Sequence, residues 1–146
     1  MVSTLINGQL QIKFGMNIID LPKIFDPRGN LTFIQNHDQI PFEIKRVYWI
    51  YDVPGGEERG GHAFKKSEEL IIALSGSFDL VIKDQVSEKI IHCSRSYNGV
   101  YIPAGTWRKL TNFSTNSLAL VLSSTEYEEA DYIRNFEEFT ENKKDL

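Results

Sequence analysis

The sequence predicts an all-β domain, either a sandwich or a barrel, that covers about residues 9–123 and is followed by one helix. Short apolar segments of alternating polarity recur roughly every ten residues, with turn-forming residues between them, which is typical of sandwiches and barrels. A helical period is absent until the last 22 residues. The chain of 146 residues has the length of one ordinary domain, so we expect a single domain over 1–146.

Ten strands are expected before the helix. Gly, Pro, Asp and Ser, which favour tight turns, fill the gaps between them, as in Asp26-Pro27-Arg28-Gly29 and Pro103-Ala104-Gly105. The predicted strands are Gln9–Lys13, Asn17–Asp20, Asn30–Gln35, Phe42–Tyr51, Glu68–Leu74, Ser77–Lys83, Val86–His92, Gly99–Ile102, Trp107–Thr111 and Ser117–Ser123.

The end of the chain predicts a helix over about residues 126–140. Thr125, with Glu128 three positions later, has the pattern of a capping box, in which each side chain bonds a free backbone N–H of the first turn. An apolar residue then recurs at every third position, which predicts a stripe that packs on the barrel. This stripe consists of Tyr127, Ala130, Ile133, Phe136 and Phe139.

Composition excludes several classes of protein. Sixteen Lys and Arg against 20 Asp and Glu give a net charge of −4, unlike the basic surface of a nucleic-acid-binding protein. The single cysteine, Cys93, cannot form an intrachain disulfide. No apolar segment approaches the ~18 residues that cross a bilayer, and the N-terminus does not resemble a signal peptide. The sequence therefore predicts a cytoplasmic protein with neither nucleic acid nor membrane as a partner.

The predicted strand Phe42–Tyr51 carries polar side chains on both faces, because successive side chains of a strand alternate. One face holds Ile44, Arg46, Tyr48 and Ile50, and the other holds Lys45, Val47, Trp49 and Tyr51. If the first face is interior, Arg46 needs a fixed anion, either a carboxylate such as Glu69 or a ligand phosphate. If the second face is interior, Trp49 and Tyr51 are buried instead. The pattern alone leaves both arrangements open.

A glycine-rich loop precedes a histidine that is a candidate for proton transfer. Glycines at 55, 56, 60 and 61 make this loop pliable, as the rim of a pocket is, but the spacing is not that of a dinucleotide-binding fingerprint. His62 and Phe64 project to one side of the strand that follows. Histidine exchanges protons near neutral pH, although a histidine packed in a core or rim has the same pattern.

Two spaced motifs resemble those of the cupin family. His62-x-Phe64-x4-Glu69-x6-Gly76 is similar to the first cupin motif, in which a second histidine occupies the position of Phe64. Pro103-x-Gly105-x2-Arg108-x3-Asn112 is similar to the second, in which a histidine occupies the position of Arg108. The resemblance implies a cupin-type double-stranded β-helix, which is a jelly-roll barrel.

The departures from these motifs predict a metal-free site. Cupins typically bind a metal through the two histidines and the glutamate of the first motif and the histidine of the second. Only His62 and Glu69 remain here, and two ligands hold a divalent ion poorly. Arg108 adds a permanent positive charge at the same place. We therefore expect no metal.

Further segments over residues 22–139 are similar to the dTDP-4-keto-6-deoxyglucose 3,4-ketoisomerases, the WxcM-like family. This resemblance implies an intramolecular oxidoreductase that moves the ketone of a dTDP-4-keto-6-deoxyhexose from C4 to C3, before amination to a 3-amino-3,6-dideoxy sugar of cell-surface glycans. It also implies a homodimer with exchanged N-terminal strands. The similar segments are Asp26-x-Arg28-Gly29-x-Leu31, Ile40-Pro41-Phe42-x-Ile44-Lys45-Arg46-Val47-Tyr48, Arg59-Gly60-x-His62-Ala63-x-Lys65-Lys66, Leu74-x-Gly76-Ser77, Tyr101-x5-Trp107 and Tyr127-x-Glu129-x-Asp131-Tyr132-Ile133-Arg134.

The reaction assigns roles to the candidate residues. His62 would remove the proton from C3 and return one at C4 through an enediolate. Tyr48 or Arg108 would donate to the carbonyl oxygen, where negative charge develops. The reaction is redox-neutral, so it requires no nicotinamide or flavin, and we expect no cofactor.

Substrate binding is predicted to rest on arginines and aromatic rings. Guanidinium groups of Arg28, Arg46 and Arg59 are candidates for the diphosphate, with Glu69 as a possible counterion. Tyr101 and Trp107 would stack on the base or sugar, or else pack in the core.

Two other functions stay open. Members of the WxcM-like family usually carry a His-x-His pair and a histidine after the tryptophan, where this chain has Phe64 and Arg108. The chain could accordingly be a 3,5-epimerase-type cupin or a non-catalytic sugar-nucleotide binder. The sequence determines neither the C4 configuration of the product nor the nucleotide base.

Overall fold

Two antiparallel sheets pack face to face in the computed structural model, which describes residues 4–6, 9–11 and 17–144, with side chains from 17 to 141. The larger sheet has the order β1-β2-β3-β9-β6-β11-β4 and the smaller β12-β5-β10-β7-β8. The elements are β1 (Thr4–Ile6), β2 (Gln9–Gln11), β3 (Asn17–Asp20), β4 (Arg46–Tyr51), β5 (Arg59–Phe64), β6 (Glu69–Ser75), β7 (Phe78–Lys83), β8 (Glu88–Cys93), β9 (Asn98–Ile102), β10 (Trp107–Thr111), β11 (Leu118–Ser123), β12 (Tyr132–Ile133) and the helix α1 (Phe136–Lys144).

The main core lies between the two sheets. Alternate residues of β6, β9 and β11 meet alternate residues of β7 and β10, as period-two strands require. The buried side chains at this interface are Ile71, Ala73, Phe78, Leu80, Ile82, Cys93, Val100, Ile102, Leu110, Ala119 and Val121. The prediction of an all-β architecture with a C-terminal helix is confirmed.

The predicted strand Asn30–Gln35 is wrong. Residues 21–44 form an irregular arm across the outer face of the larger sheet, with one isolated bridge between Ile24 and Leu31. Apolar residues of the arm, including Ile40 and Phe42, pack there against Leu70 and Ile72. Alternating polarity in the arm therefore reflects packing on a sheet rather than pairing within one. For the same reason the strand predicted from Phe42 begins only at Arg46.

The predicted helix over 126–140 is wrong in its first half. Residues Glu129–Asp131 form one 3₁₀ turn, β12 then pairs with β5, and the helix begins only at Phe136. The cause is a tertiary anchor: the buried carboxylate of Asp131 accepts hydrogen bonds from the backbone N–H groups of Lys66 and Ser67. Glu128 caps the 3₁₀ turn through Ala130 N, rather than an α-helix.

Helix α1 closes one side of the smaller sheet. Phe139 is buried against Trp107 and Ile133, and the Phe136 ring packs on the Trp107 ring at 5.3 Å between centroids. No helix within the described residues combines the length and apolarity that crossing a bilayer requires. The predicted strand Gln9–Lys13 is observed as β2, and its residues 12–13 lie outside the described part of the chain.

Candidate active site

A cavity of about 200 Å³ opens where the β4 edge of the larger sheet meets β5 and β12 of the smaller sheet. Basic, aromatic and imidazole side chains converge on it. The lining residues are Tyr48, Ile50, Arg59, Gly60, His62, Arg108, Tyr132 and Arg134. A larger cavity of about 550 Å³ lies between the arm and the outer face of the larger sheet, but mostly apolar side chains line it and no histidine or carboxylate faces it. The smaller cavity is therefore the candidate active site.

Strand β4 turns its polar face inward, which decides between the two arrangements that the sequence left open. Arg46, Tyr48 and Ile50 are half-buried, whereas the Trp49 and Tyr51 side chains are 57% and 61% exposed. Arg46 Nη1 donates to the Tyr132 hydroxyl at 3.4 Å and so bridges the edges of the two sheets. Its Nη2 donates to Ser123 Oγ at 3.4 Å, and no described residue hydrogen-bonds its buried Nε. Arg46 therefore lies beside the cavity but is not one of its lining residues.

A buried ion pair forms the floor of the cavity. Glu69 of β6 and Arg108 of β10 are 0% and 1% exposed, and Arg108 Nη2 lies 2.7 Å from Glu69 Oε1. Arg108 Nε donates to the same oxygen at 3.0 Å. Arg108 Nη2 also donates to the Tyr48 hydroxyl at 3.0 Å, and that hydroxyl donates to the other carboxylate oxygen of Glu69. Burial raises the pKa of Tyr48, so the phenol keeps its proton.

Gly60 lets β5 approach the guanidinium of Arg108. The Gly60 carbonyl accepts from Arg108 Nη1 at 2.6 Å. The φ angle of Gly60 is +71°, which lies in the left-handed region that favours glycine. A Cβ at this position would lie 2.3 Å from Arg108 Nη1, so a larger residue would collide with the guanidinium. Four of the five N–H groups of Arg108 therefore have acceptors among the described residues, and the fifth, on Nη1, has none there.

These residues do not fit the metal of a typical cupin. Glu69, the carboxylate ligand of the motif, is already bonded to Arg108 and Tyr48. Phe64 has no donor atom, and the cation of Arg108 stands where a fourth ligand would be. Over the ranges the structure describes, no three side chains of His, Cys, Asp or Glu come together as a metal site. The guanidinium supplies the positive charge at this position.

His62 is buried in the wall of the cavity among aromatic rings and cations. Its imidazole makes edge contacts with the rings of Phe64 and Tyr132, at 4.7 and 5.0 Å between centroids. Burial, aided by the charges of Arg108, Arg134 and Arg46, lowers the pKa of His62 to about 2. No residue in the described part of the chain hydrogen-bonds its buried Nε2. The imidazole is therefore neutral at physiological pH, the form that a general base needs.

Tyr132 and Arg134 belong to the site, although sequence reasoning did not select them. The Arg134 guanidinium lies 4.2 Å from the centroid of the Tyr132 ring and forms an exposed ion pair with Glu129 at 3.0 Å. Both residues were missed because the sequence predicted a helix over 126–140, whereas Tyr132 lies in a strand that pairs with β5. The segment Tyr132-Ile133-Arg134, which resembles the WxcM-like family, was the signal that could have identified them.

The other predicted residues divide between the cavity and elsewhere. Arg59 lies exposed at its mouth. Tyr101 is largely buried, donates to Glu68 and stacks near Phe42, and Trp107 is packed under α1, so both have the core-packing role that the sequence left open. Arg28 is exposed in a turn, bound to Asp26 at 2.8 Å, and does not line this cavity within one chain.

Comparison with known proteins points to one group of enzymes. Residues 14–144 match the family described as FdtA, WxcM-like, C-terminal. The chain is 38% identical over 122 residues to a TDP-4-oxo-6-deoxy-alpha-D-glucose-3,4-oxoisomerase from Aneurinibacillus thermoaerophilus, with 84% of this chain and 88% of that protein covered.

Solved structures agree with this match. QdtA, a sugar 3,4-ketoisomerase from Thermoanaerobacterium thermosaccharolyticum solved with TDP, has a TM-score of 0.89 at 36% identity, covering 92% of this chain and 98% of that one. A variant of QdtA with one histidine changed to asparagine has been solved with TDP-4-keto-6-deoxyglucose. The WlaRB TDP-quinovose 3,4-ketoisomerase from Campylobacter jejuni has a TM-score of 0.83 at 42% identity, covering 87% and 98%. The predicted cupin-type fold is confirmed.

The lowered pKa of His62 predicts a specific dependence of stability on pH. An unfolded histidine has a pKa of about 6.5, so between pH 6.5 and 2 the unfolded chain binds one more proton at this residue than the folded protein does. The free energy of unfolding should therefore fall as the pH falls below 6.5, by up to ~1.4 kcal/mol per pH unit from His62 alone. Urea unfolding at several pH values between 7 and 5 measures this slope.

The variant His62→Asn should lose that part of the slope. The matched control is His37→Asn, since His37 is exposed and has a φ of 57°, which asparagine tolerates. The control should keep the slope of the parent. Equal pH dependence in His62→Asn and the parent would show that His62 is not held neutral in the fold.

Proposed function

Because this chain belongs to the WxcM-like (FdtA) family, we infer that it is a TDP-sugar 3,4-ketoisomerase, which moves the ketone of a TDP-4-keto-6-deoxyhexose from C4 to C3. The observation that carries this inference is His62, a neutral imidazole in a cavity whose other polar groups are cationic or phenolic. Relatives at 36–42% identity are ketoisomerases, and structures of one of them, QdtA, hold TDP or TDP-4-keto-6-deoxyglucose. The product is a substrate for amination to 3-amino-3,6-dideoxy sugars of cell-surface glycans.

His62 is proposed as the base for both halves of the reaction. It removes the proton from C3, which gives an enediolate, and it returns a proton to C4. A positioned general base contributes ~10²–10⁴-fold to rate. One base suffices because C3 and C4 are adjacent and a single imidazole reaches both.

Arg108 and Tyr48 are proposed to stabilise the charge that develops on oxygen. The one N–H of Arg108 without a protein acceptor is a charged donor in a buried site, where such a donor is most effective. Tyr48 donates to Glu69 and accepts from Arg108. Tyr48 therefore holds the Arg108 guanidinium in place and also lines the cavity.

Arg46, Arg59 and Arg134 are proposed to bind the diphosphate. Guanidinium groups match phosphate oxygens in geometry and charge. Arg46 and Arg134 are also two of the cations that lower the pKa of His62. A bound diphosphate offsets their charge, so substrate binding itself should strengthen the base that acts on the sugar.

We also propose that the protein acts as a homodimer with exchanged N-terminal strands. The strands β1 and β2 extend one edge of the larger sheet, and β4, at its other edge, exposes Val47, Trp49 and Tyr51. An unpaired edge beside an exposed apolar face is a surface that soluble proteins usually cover. Light scattering on the purified protein tests the dimer: we expect twice the mass of the 16.8 kDa chain, and the mass of one chain would contradict it.

The reaction itself is tested by following TDP-4-keto-6-deoxyglucose in deuterated water by NMR. We expect the ketone to move to C3. An unmoved ketone with deuterium at C3 and C5 would indicate an epimerase, and unchanged sugar protons with perturbed nucleotide signals would indicate a binder. His62→Asn should slow the ketone transfer by at least ~10²-fold, whereas His37→Asn should not. Parental turnover by His62→Asn would show that another group moves the proton.

The arginine roles are tested by TDP affinity. Removing a charge-assisted hydrogen bond costs ~1.5–3 kcal/mol, so Arg46→Ala and Arg59→Ala should each weaken TDP binding more than about tenfold. Isothermal titration calorimetry measures the change. Arg95→Ala is the control, because Arg95 is exposed and, among the described residues, its guanidinium bonds the carbonyl of the adjacent Ser94 alone. Unchanged affinity in both site variants would remove these residues from the diphosphate.

A further inference from the structure

His62 belongs to a cluster of three aromatic rings. Phe64, two residues along β5, contacts the imidazole edge-on with an angle of 77° between planes. Tyr132 of β12 contacts the same imidazole at 62°, and the Phe64 and Tyr132 rings lie 4.6 Å apart. Phe64 is only 4% exposed, so it packs on one side of the imidazole as a fixed apolar wall.

Of the described side chains that contact His62 or act on its charge, none is a carboxylate or a second imidazole that would accept a proton. Its charged neighbours are the guanidinium groups of Arg46, Arg108 and Arg134, which are already protonated and do not accept. The carboxylate of Glu69 is occupied by Arg108 and Tyr48. The Tyr132 hydroxyl accepts from Arg46. Across the described side chains, none hydrogen-bonds the Nε2 atom of His62.

A proton that His62 takes from substrate therefore meets no described side chain that would carry it away from Nε2. A sugar bound in this cavity of about 200 Å³ would also displace the water that would otherwise exchange with the imidazolium. A polar, titratable side chain at position 64 would contact the imidazole, as Phe64 does. It could then accept the proton from His62 and pass it on to solvent.

We propose that the apolar side chain of Phe64 keeps any proton relay away from His62, so that the proton removed from C3 is the same proton that arrives at C4. This rests on the ketoisomerase function proposed above. Phe64 is then a positioning residue that determines the path of the proton, while His62 carries it.

The atoms balance without a co-reactant. The C3–H bond breaks, its electrons form the C3–C4 double bond, and the C4 carbonyl becomes the oxyanion of the enediolate while His62 holds the proton. The hydroxyl proton passes from O3 to O4. The carbonyl then re-forms at C3 as the double-bond electrons take the proton from His62 at C4.

The test uses TDP-4-keto-6-deoxyglucose deuterated at C3, converted in ordinary water and stopped early, before the reverse reaction contributes. NMR and mass spectrometry locate the ketone and the label. We expect the 3-keto product to carry deuterium at C4 in most molecules. Product with its ketone at C3 and hydrogen at C4 would overturn the inference while leaving the proposed function intact. A ketone that stays at C4 would overturn the proposed function, and this inference with it.

Two variants locate the effect at position 64. Phe64→His places a titratable group against His62 and should lower the deuterium retained at C4 several-fold. Phe64→Leu keeps the wall apolar and should retain the label like the parent, which controls for loosened packing. Equal loss of label in both variants, or in neither, would show that the chemistry of this side chain does not govern the proton path. If Phe64→His does not fold, the unmodified protein in deuterated water still tests the proton path, because deuterium at C4 of the 3-keto product would overturn the inference.

Discussion

The ion pair between Glu69 and Arg108 joins the two sheets at the base of the cavity, and the other features of the site follow from it. Its members come from β6 of the larger sheet and β10 of the smaller one, and β4 and β5 contribute the Tyr48 hydroxyl and the Gly60 carbonyl. Two fully buried charges are tolerated only when their remaining hydrogen-bonding atoms are satisfied. That requirement explains a glycine at position 60 and a phenol at position 48.

A guanidinium group in the interior changes what the neighbouring histidine can do. In a metal-binding cupin the histidine at this position is a ligand, whereas here Arg108 supplies the positive charge and His62 packs among aromatic rings. The surrounding guanidinium groups and burial keep the imidazole neutral. The diphosphate of a bound substrate would then have two effects. The arginines would bind it, and its negative charge would offset the positive charge that lowers the pKa of His62.

The sequence predicted the parts of this structure that depend on local alternation, and it failed where tertiary contacts decide. Strands such as β7 and β11 could be predicted because apolar residues alternate along them, as they do in a strand that buries one face. The arm and the segment before α1 have similar apolar spacing, but Asp131 and the outer face of the larger sheet impose other conformations on them. Tyr132 and Arg134 were missed for that reason. Glu69 and Arg108 are 39 residues apart, and an alternation pattern does not predict that two such distant residues form an ion pair. The resemblance to the cupin motifs was the observation that placed both residues in one site.

A double-mutant cycle on Glu69 and Arg108 tests most directly whether the buried carboxylate–guanidinium pair supports this site. The free energy of unfolding in urea would be measured for the parent, Glu69→Gln, Arg108→Met and the double variant. Each single change should cost ~3–5 kcal/mol, because it leaves a buried charge without its partner. The double variant should be less destabilised than the sum of the two by about 2–3 kcal/mol. Additive costs would contradict the account, since they would mean that the two charges do not depend on each other.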